Sequence, residues 1–301
     1  MTRVPRPMTA QVWATRIAVI LAASLLGVLP GAAAVARPAR SKRDDGEETA
    51  VTLAPNAKYV ALGSSYAAGP GIPRQLDACG ESDHNYPHLV AAALHLDLVD
   101  ASCSGAVIAN ILDQPQGANP PQLQSVTPDA SLITFTVGGN DVGYIATAFA
   151  CGSADKSACT TAVNQARLAR QFSKLSTSLT TLVQQLRAKA PKATIVMVTY
   201  PRLVPASACP ALEYSPAADE LVGSLGERLE ATFATVAKQT GVRIADPYVL
   251  AAGHGPCAGA SQRWVDGASA PDAFPYHPTA AGHAEMAHLV EKALQAPRVA
   301  R

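Results

Sequence analysis

Four short stretches carry residues whose types suit one reaction. "YVALGSSYAAG", residues 59–69, places Ser64 and Ser65 directly after an apolar run. "CSGA" offers Gly105, "VGGND" offers Asn140, and "YHPTAAGH" offers His277. A serine hydroxyl attacks poorly until a base takes its proton. It needs an imidazole within hydrogen-bond reach and N–H donors aimed at the oxyanion that forms. Ser65 supplies the hydroxyl and His277 the imidazole. Gly105 can present a backbone N–H that no side chain screens, and Asn140 a carboxamide. The reaction such a set performs is acyl transfer from an ester. Taken alone, the paired serines are ordinary turn residues, since serine is common at strand ends.

These residues work together only if the fold gathers them, and the pattern of elements says how. "AKYVALG" (57–63), "DLVDASC" (97–103), "SLITFTVGG" (131–139), "ATIVMVTYP" (193–201) and "VRIADP" (242–247) are expected strands, apolar and partly β-branched. Between them lie expected helices at 85–96, about 161–189, 217–241 and 279–294. The 161–189 helix is marked by Leu168, Phe172, Leu175, Leu179, Leu182 and Leu186 at steps of three and four. Asn85 is placed to cap the first, and Gly241 to stop the third. Strand and helix alternate throughout, which calls for an α/β fold: a mainly parallel sheet in a three-layer α/β/α sandwich. Ligands of such sheets bind beyond the carboxyl ends of the strands. "GSS", "CSGA" and "GGND" all fall at strand ends, so one rim can hold them.

With the blocks in that order, the sequence resembles the SGNH, or GDSL, family of serine hydrolases. "ALGSSYAAG" resembles its first block, with Ser65 as nucleophile. "CSGA" resembles the second, with Gly105 as oxyanion donor, "VGGND" the third, with Asn140 as second donor, and "YHPTAAGH" the fifth, with His277 as general base. The blocks span residues 62–283. The pattern is most similar to secreted bacterial members with three disulfides, which include lipases, esterases and phospholipases. The resemblance implies a flavodoxin-like sheet and a Ser–His acyl-enzyme mechanism without metal or cofactor. No G-x-S-x-G occurs, so the nucleophile elbow of α/β-hydrolases is not the match.

Two positions depart from the family pattern. Ser64 stands where the first block usually has aspartate, which puts the hydrogen bonding of that loop in question. Phe274 stands where the fifth block usually has the acid, three residues before His277. A histidine base needs an acceptor for its other N–H. Asp272, five residues before, is one candidate. By resemblance to members that use a backbone carbonyl three residues before the histidine, the carbonyl of Phe274 is the other, and it is preferred. Asp141 suits a cap, and Asp246 a turn start with at most a supporting part. His84, His88 and His254 are expected to be structural. His283 and His288 are expected on the surface or at the end of the last helix, since "HAEMAH" lacks the H-E-x-x-H spacing of a zinc site.

Bulk properties narrow the partners. The chain has 301 residues, 48% of them hydrophobic and 16% charged, with net charge +1. No basic field is available for nucleic acid. A basic start, the apolar "IAVILAASLLGVL" and the A-x-A pattern at Ala34 and Ala36 form an expected secretory signal, residues 1–36. Residues 37–54 follow as a polar, disordered leader, and 55–297 as one hydrolase domain. The expected mature product is exported, lacks a membrane span and is a monomer. Six cysteines, none in a C-x-x-C pair, argue for three disulfides in an exported chain. Fifteen connectivities are possible, and neighbour pairing is the expectation: Cys79–Cys103, Cys151–Cys159 and Cys209–Cys257.

The expected function is ester hydrolysis, on lipid esters rather than sugar acetates. Trp264 is the one tryptophan of the mature part, so platforms for sugar stacking are scarce. "AAGPGIP" beside the nucleophile is small and apolar. Within enzymes, a carbohydrate acetylesterase or a phospholipase is the alternative. In another class, a noncatalytic ligand-binding protein on the same fold is the competitor, given the two departures. Against it, serine, glycine, asparagine and histidine all remain.

Overall fold

The computed structural model describes residues 50–153, 159 and 165–296. The expected signal and most of the leader lie outside the described residues, as does the expected start of the long helix at 161–164. Five strands form one sheet: β1 (Lys58–Gly63), β2 (Asp97–Asp100), β3 (Leu132–Thr136), β4 (Thr194–Val198) and β5 (Arg243–Ala245). Their order is β2-β1-β3-β4-β5, and every pairing is parallel. Seven α-helices are described: α1 (Ser65–Ala68), α2 (Tyr86–Leu94), α3 (Ile108–Leu112), α4 (Tyr144–Gly152), α5 (Gln165–Lys189), α6 (Pro216–Thr240) and α7 (Ala280–Gln295).

The sheet separates two apolar layers because successive side chains of a strand point to opposite faces. Val60, Leu62, Ile133, Phe135, Ile195 and Met197 share one core with α3, α4, α5 and α6. Tyr59, Ala61, Leu132, Val196 and Val198 share the other with α2 and α7. Central strands buried on both faces read as unbroken apolar runs, which is why they stand out in the sequence.

Helix starts follow local chemistry. Asn85 Oδ1 accepts the His88 N–H at 3.0 Å, with Pro87 in the first turn of α2. Ser215 caps α6 ahead of Pro216, and Thr279 caps α7. Gly241 closes α6 in the left-handed conformation at φ +65°. The three expected disulfides are all formed: Cys79–Cys103, Cys151–Cys159 and Cys209–Cys257. The first ties the loop after α1 to the loop after β2. The third ties the loop after β4 to the loop after β5. Both therefore brace the carboxyl edge of the sheet.

Candidate active site

β1 ends in a turn that only glycine fits. Gly63 has φ +145°, and a Cβ there would lie 2.4 Å from the Thr136 carbonyl oxygen of the neighbouring strand. Gln122 brackets the same residue: its Oε1 accepts the Gly63 N–H at 2.8 Å and its Nε2 donates to the Gly63 carbonyl at 2.9 Å. Ser64 N–H donates to the Thr136 carbonyl at 2.9 Å. The chain then enters α1 at Ser65. The Ser64 side chain is buried, its hydroxyl engaged with the Thr136 carbonyl at 3.5 Å and with Tyr200. Tyr200 also takes the Gly139 N–H at 3.1 Å, which links the first and third blocks.

Ser65 Oγ and His277 Nε2 are 2.7 Å apart although 212 positions separate them in sequence. Both side chains are buried. Nδ1 of His277 meets the carbonyl of Pro275 at 2.7 Å. That fixes the tautomer: Nδ1 carries the hydrogen and Nε2 accepts from the serine. The acceptor is thus a backbone carbonyl, but two residues before the histidine. The Phe274 carbonyl instead accepts the His277 backbone N–H at 3.0 Å. The cause is Tyr276, which sits in the left-handed region at φ +60° and turns the preceding peptide toward the ring. Such strain needs support. Tyr276 receives it from Tyr66, whose hydroxyl donates to the Tyr276 carbonyl at 2.5 Å, and from the Gly267 carbonyl, which accepts the Tyr276 N–H at 3.1 Å.

Asp272 is not brought to the imidazole. Its carboxylate pairs with Arg263, which also holds the fully buried Asp266 at 2.7 Å. Asp266 Oδ2 accepts the Asp272 N–H at 2.9 Å, and the Asp266 N–H donates to the His277 carbonyl at 3.0 Å. Two aspartates and one arginine thus shape the loop that carries the histidine without touching its ring. Burial lowers the His277 pKa to about 4, opposed by the Pro275 hydrogen bond. The imidazole is neutral at pH 7, the form that can accept a proton.

The remaining two residues lie together. Asn140 Nδ2 donates to the Ala106 carbonyl at 3.0 Å, beside Gly105. One amide hydrogen remains for another acceptor. Gly105 has φ +86° and is exposed. The N–H groups of Ser65 and Gly105 donate to no acceptor among the described residues. Asp141 accepts the Ile108 N–H at 3.2 Å, so it serves the first turn of α3, 33 residues upstream, rather than a helix of its own segment.

Several residues of this region were not singled out in the sequence. Tyr66, Tyr200, Gln122 and Asp266 act through partners far along the chain, which spacing does not reveal. His283 is a correction: it is fully buried rather than at the surface, and its Nδ1 accepts the Tyr86 N–H at 3.1 Å. The helix pattern carries the signal for this, since His283, Met286, Ala287 and Val290 share the buried face of α7. His88 pairs with Glu81 at 2.8 Å, His84 with Asp83 at 2.5 Å, and His254 stacks on Trp264 at 4.0 Å. Asp246 takes the Thr199 hydroxyl and the Tyr248 N–H.

A parallel 2-1-3-4-5 sheet with a hydroxyl–imidazole pair at its carboxyl edge is the architecture of the SGNH hydrolases. The comparisons agree. The model of the GDSL-like lipase/acylhydrolase family matches residues 61–285. Lipase 2 of Streptomyces coelicolor is 30% identical over 257 residues, 77% of this chain and 84% of its own. A lipase of Streptomyces rimosus is 30% identical over 231 residues, 75% of this chain and 82% of its own. The crystal structure of the extracellular lipase from Streptomyces rimosus superposes with a TM-score of 0.67 at 29% identity, covering 79% of this chain and 99% of that one. Phospholipase A1 from Streptomyces albidoflavus gives 0.65 at 27% identity, covering 80% and 100%. The chain belongs to the GDSL-like lipase/acylhydrolase family and is a carboxylic ester hydrolase, a lipase or esterase.

Proposed function

We propose that the protein is an exported lipid esterase that works through an acyl-enzyme on Ser65. The supporting observation is the 2.7 Å contact from Ser65 Oγ to a neutral His277 Nε2, with Nδ1 engaged on the Pro275 carbonyl. Nε2 takes the serine proton as Oγ attacks the ester carbonyl. The N–H groups of Ser65 and Gly105 and the free amide hydrogen of Asn140 receive the oxyanion. The protonated imidazole then returns its proton to the leaving alcohol. Water, deprotonated by the same nitrogen, releases the acid. Asp272 has no step in this scheme.

Residues 1–36 act as the secretory signal and are removed after Ala36. Three disulfides support an oxidising destination. Lipid esters are favoured over sugar acetates by the exposed apolar side chains near His277 and by the scarcity of tryptophan. The test is hydrolysis of a p-nitrophenyl ester series beside labelling of Ser65 by a fluorophosphonate. Wild type hydrolyses and labels, while Ser65→Ala does neither. A folded wild type that never labels overturns the mechanism and favours the binding protein.

A further inference from the structure

Two of the exposed large apolar side chains stand against the histidine loop. Phe274 is 48% exposed, and its ring meets that of His277 edge to face with centroids 5.3 Å apart. Phe149 on α4 is 37% exposed and meets Phe274 the same way at 5.8 Å, and Tyr276 at 5.1 Å. Gly71 lets the nucleophile loop approach this segment: a Cβ there would lie 2.4 Å from the Phe274 nitrogen. The Phe274 N–H donates to the Pro70 carbonyl at 3.1 Å. An apolar rim is thus fastened beside a buried imidazole. Gly105 and the Asn140 amide belong to different loops of the edge, and they are polar.

Chemistry says which half of an ester meets the rim. In acylation the bond from Ser65 Oγ to the carbonyl carbon forms and the bond from that carbon to the alcohol oxygen breaks. The serine proton goes to His277 Nε2 and from there to the departing oxygen. That oxygen must come within hydrogen-bond reach of Nε2. The alcohol half therefore passes the imidazole, while the acyl half stays on Ser65. Phe274, packed on this ring, and Phe149, packed on Phe274, are the exposed apolar side chains beside that path.

We infer that Phe149 and Phe274 form an apolar subsite for the leaving alcohol. The inference rests on the proposed Ser65–His277 mechanism. It assigns as preferred substrates esters whose alcohol is itself apolar, such as a long-chain alcohol or a glycerol still carrying an acyl chain.

Two ester series test this. In the first, butyrate esters run from ethyl to octyl. All share one acyl-enzyme, so deacylation is identical and discrimination falls in kcat/KM for acylation. In the second, the alcohol is p-nitrophenol and the acyl chain runs from acetyl to octanoyl. Full burial of a methylene is worth about fourfold in rate, and a half-exposed rim gives roughly twofold per methylene. Wild type is expected to gain roughly 60-fold from ethyl to octyl. Phe149→Ala and Phe274→Ala flatten that slope and keep the wild-type slope of the acyl series. Val249→Ala, at a more exposed apolar residue, keeps both slopes. Variants that flatten only the acyl series, or neither series, overturn the subsite. Labelling of Ser65 by the fluorophosphonate reports that each variant is folded, and Phe149→Ala carries the test if Phe274→Ala does not label. Wild type inert toward both series overturns the mechanism as well. Wild type active but indifferent to the alcohol overturns only the subsite.

Discussion

At His277 a peptide carbonyl occupies the place where a carboxylate would otherwise sit, and this determines how the site responds to pH. Among the described residues no carboxylate meets Nδ1, and burial outweighs the Pro275 hydrogen bond and lowers the imidazole pKa to about 4. A base acts only when unprotonated. The acid limb of kcat/KM is therefore expected near pH 4, well below the ordinary histidine value of about 6.5. A pH–rate profile with a half-point near 6.5 contradicts this. Asp272→Asn is expected to keep turnover within about tenfold, whereas loss of a true triad acid costs on the order of 10⁴-fold. Steady-state rates on one ester decide between them. Tyr66→Phe strips the buried Tyr276 carbonyl of its side-chain donor. It is expected to cost about 1–3 kcal/mol in urea unfolding and to lower kcat, because the left-handed turn before His277 loses a support.

At the scale of elements, the end of β1 is the part on which the position of Ser65 depends. Gly63, Gln122 and the Thr136 carbonyl fix where Ser65 begins α1. Gly63→Ala forces a Cβ into the neighbouring strand at a φ that L residues avoid. The cost is expected to reach on the order of 3 kcal/mol or more, read as a fall in the denaturation midpoint. The Cys79–Cys103 bridge acts at the same place, since the Cys103 N–H donates to the Gly63 carbonyl at 3.0 Å. It closes a sequence separation of 24. Removing it with a Cys79→Ala, Cys103→Ala pair is expected to cost about 3 kcal/mol, measured against the intact protein.

At the scale of the whole molecule, buried histidines couple stability to acidity. His283 joins α7 to α2 through the Tyr86 N–H, and burial, with a smaller contribution from His277, lowers its pKa to about 3. The unfolded chain then binds a proton near pH 6.5 that the native chain refuses. The stabilisation is complete above pH 6.5 and declines as pH falls toward 3. Asp100 and Asp141 work the opposite way. Burial raises both to about 6, so the native chain takes up their protons first and gains stability as pH falls below that value. Wild type alone mixes these effects. The stability difference between wild type and His283→Asn isolates the histidine. It is expected to shrink by about 3 kcal/mol between pH 7 and pH 4, and a difference constant with pH contradicts the assignment.

The amino-acid sequence by itself determined the alternation of strand and helix, because strands buried on both faces read as apolar runs and the helices carry their own periodicity and caps. It also determined which four residue types end up at the carboxyl edge, since each stands where a strand stops or a helix starts. Tertiary structure alone decided which carbonyl meets Nδ1, where Asp272 points, that Tyr66 supports the turn at Tyr276, and that His283 is inside. Each of these depends on a side chain meeting a group brought near by packing, or on a single left-handed residue. Such contacts have no period and no spacing, so they come into being only when the layers close.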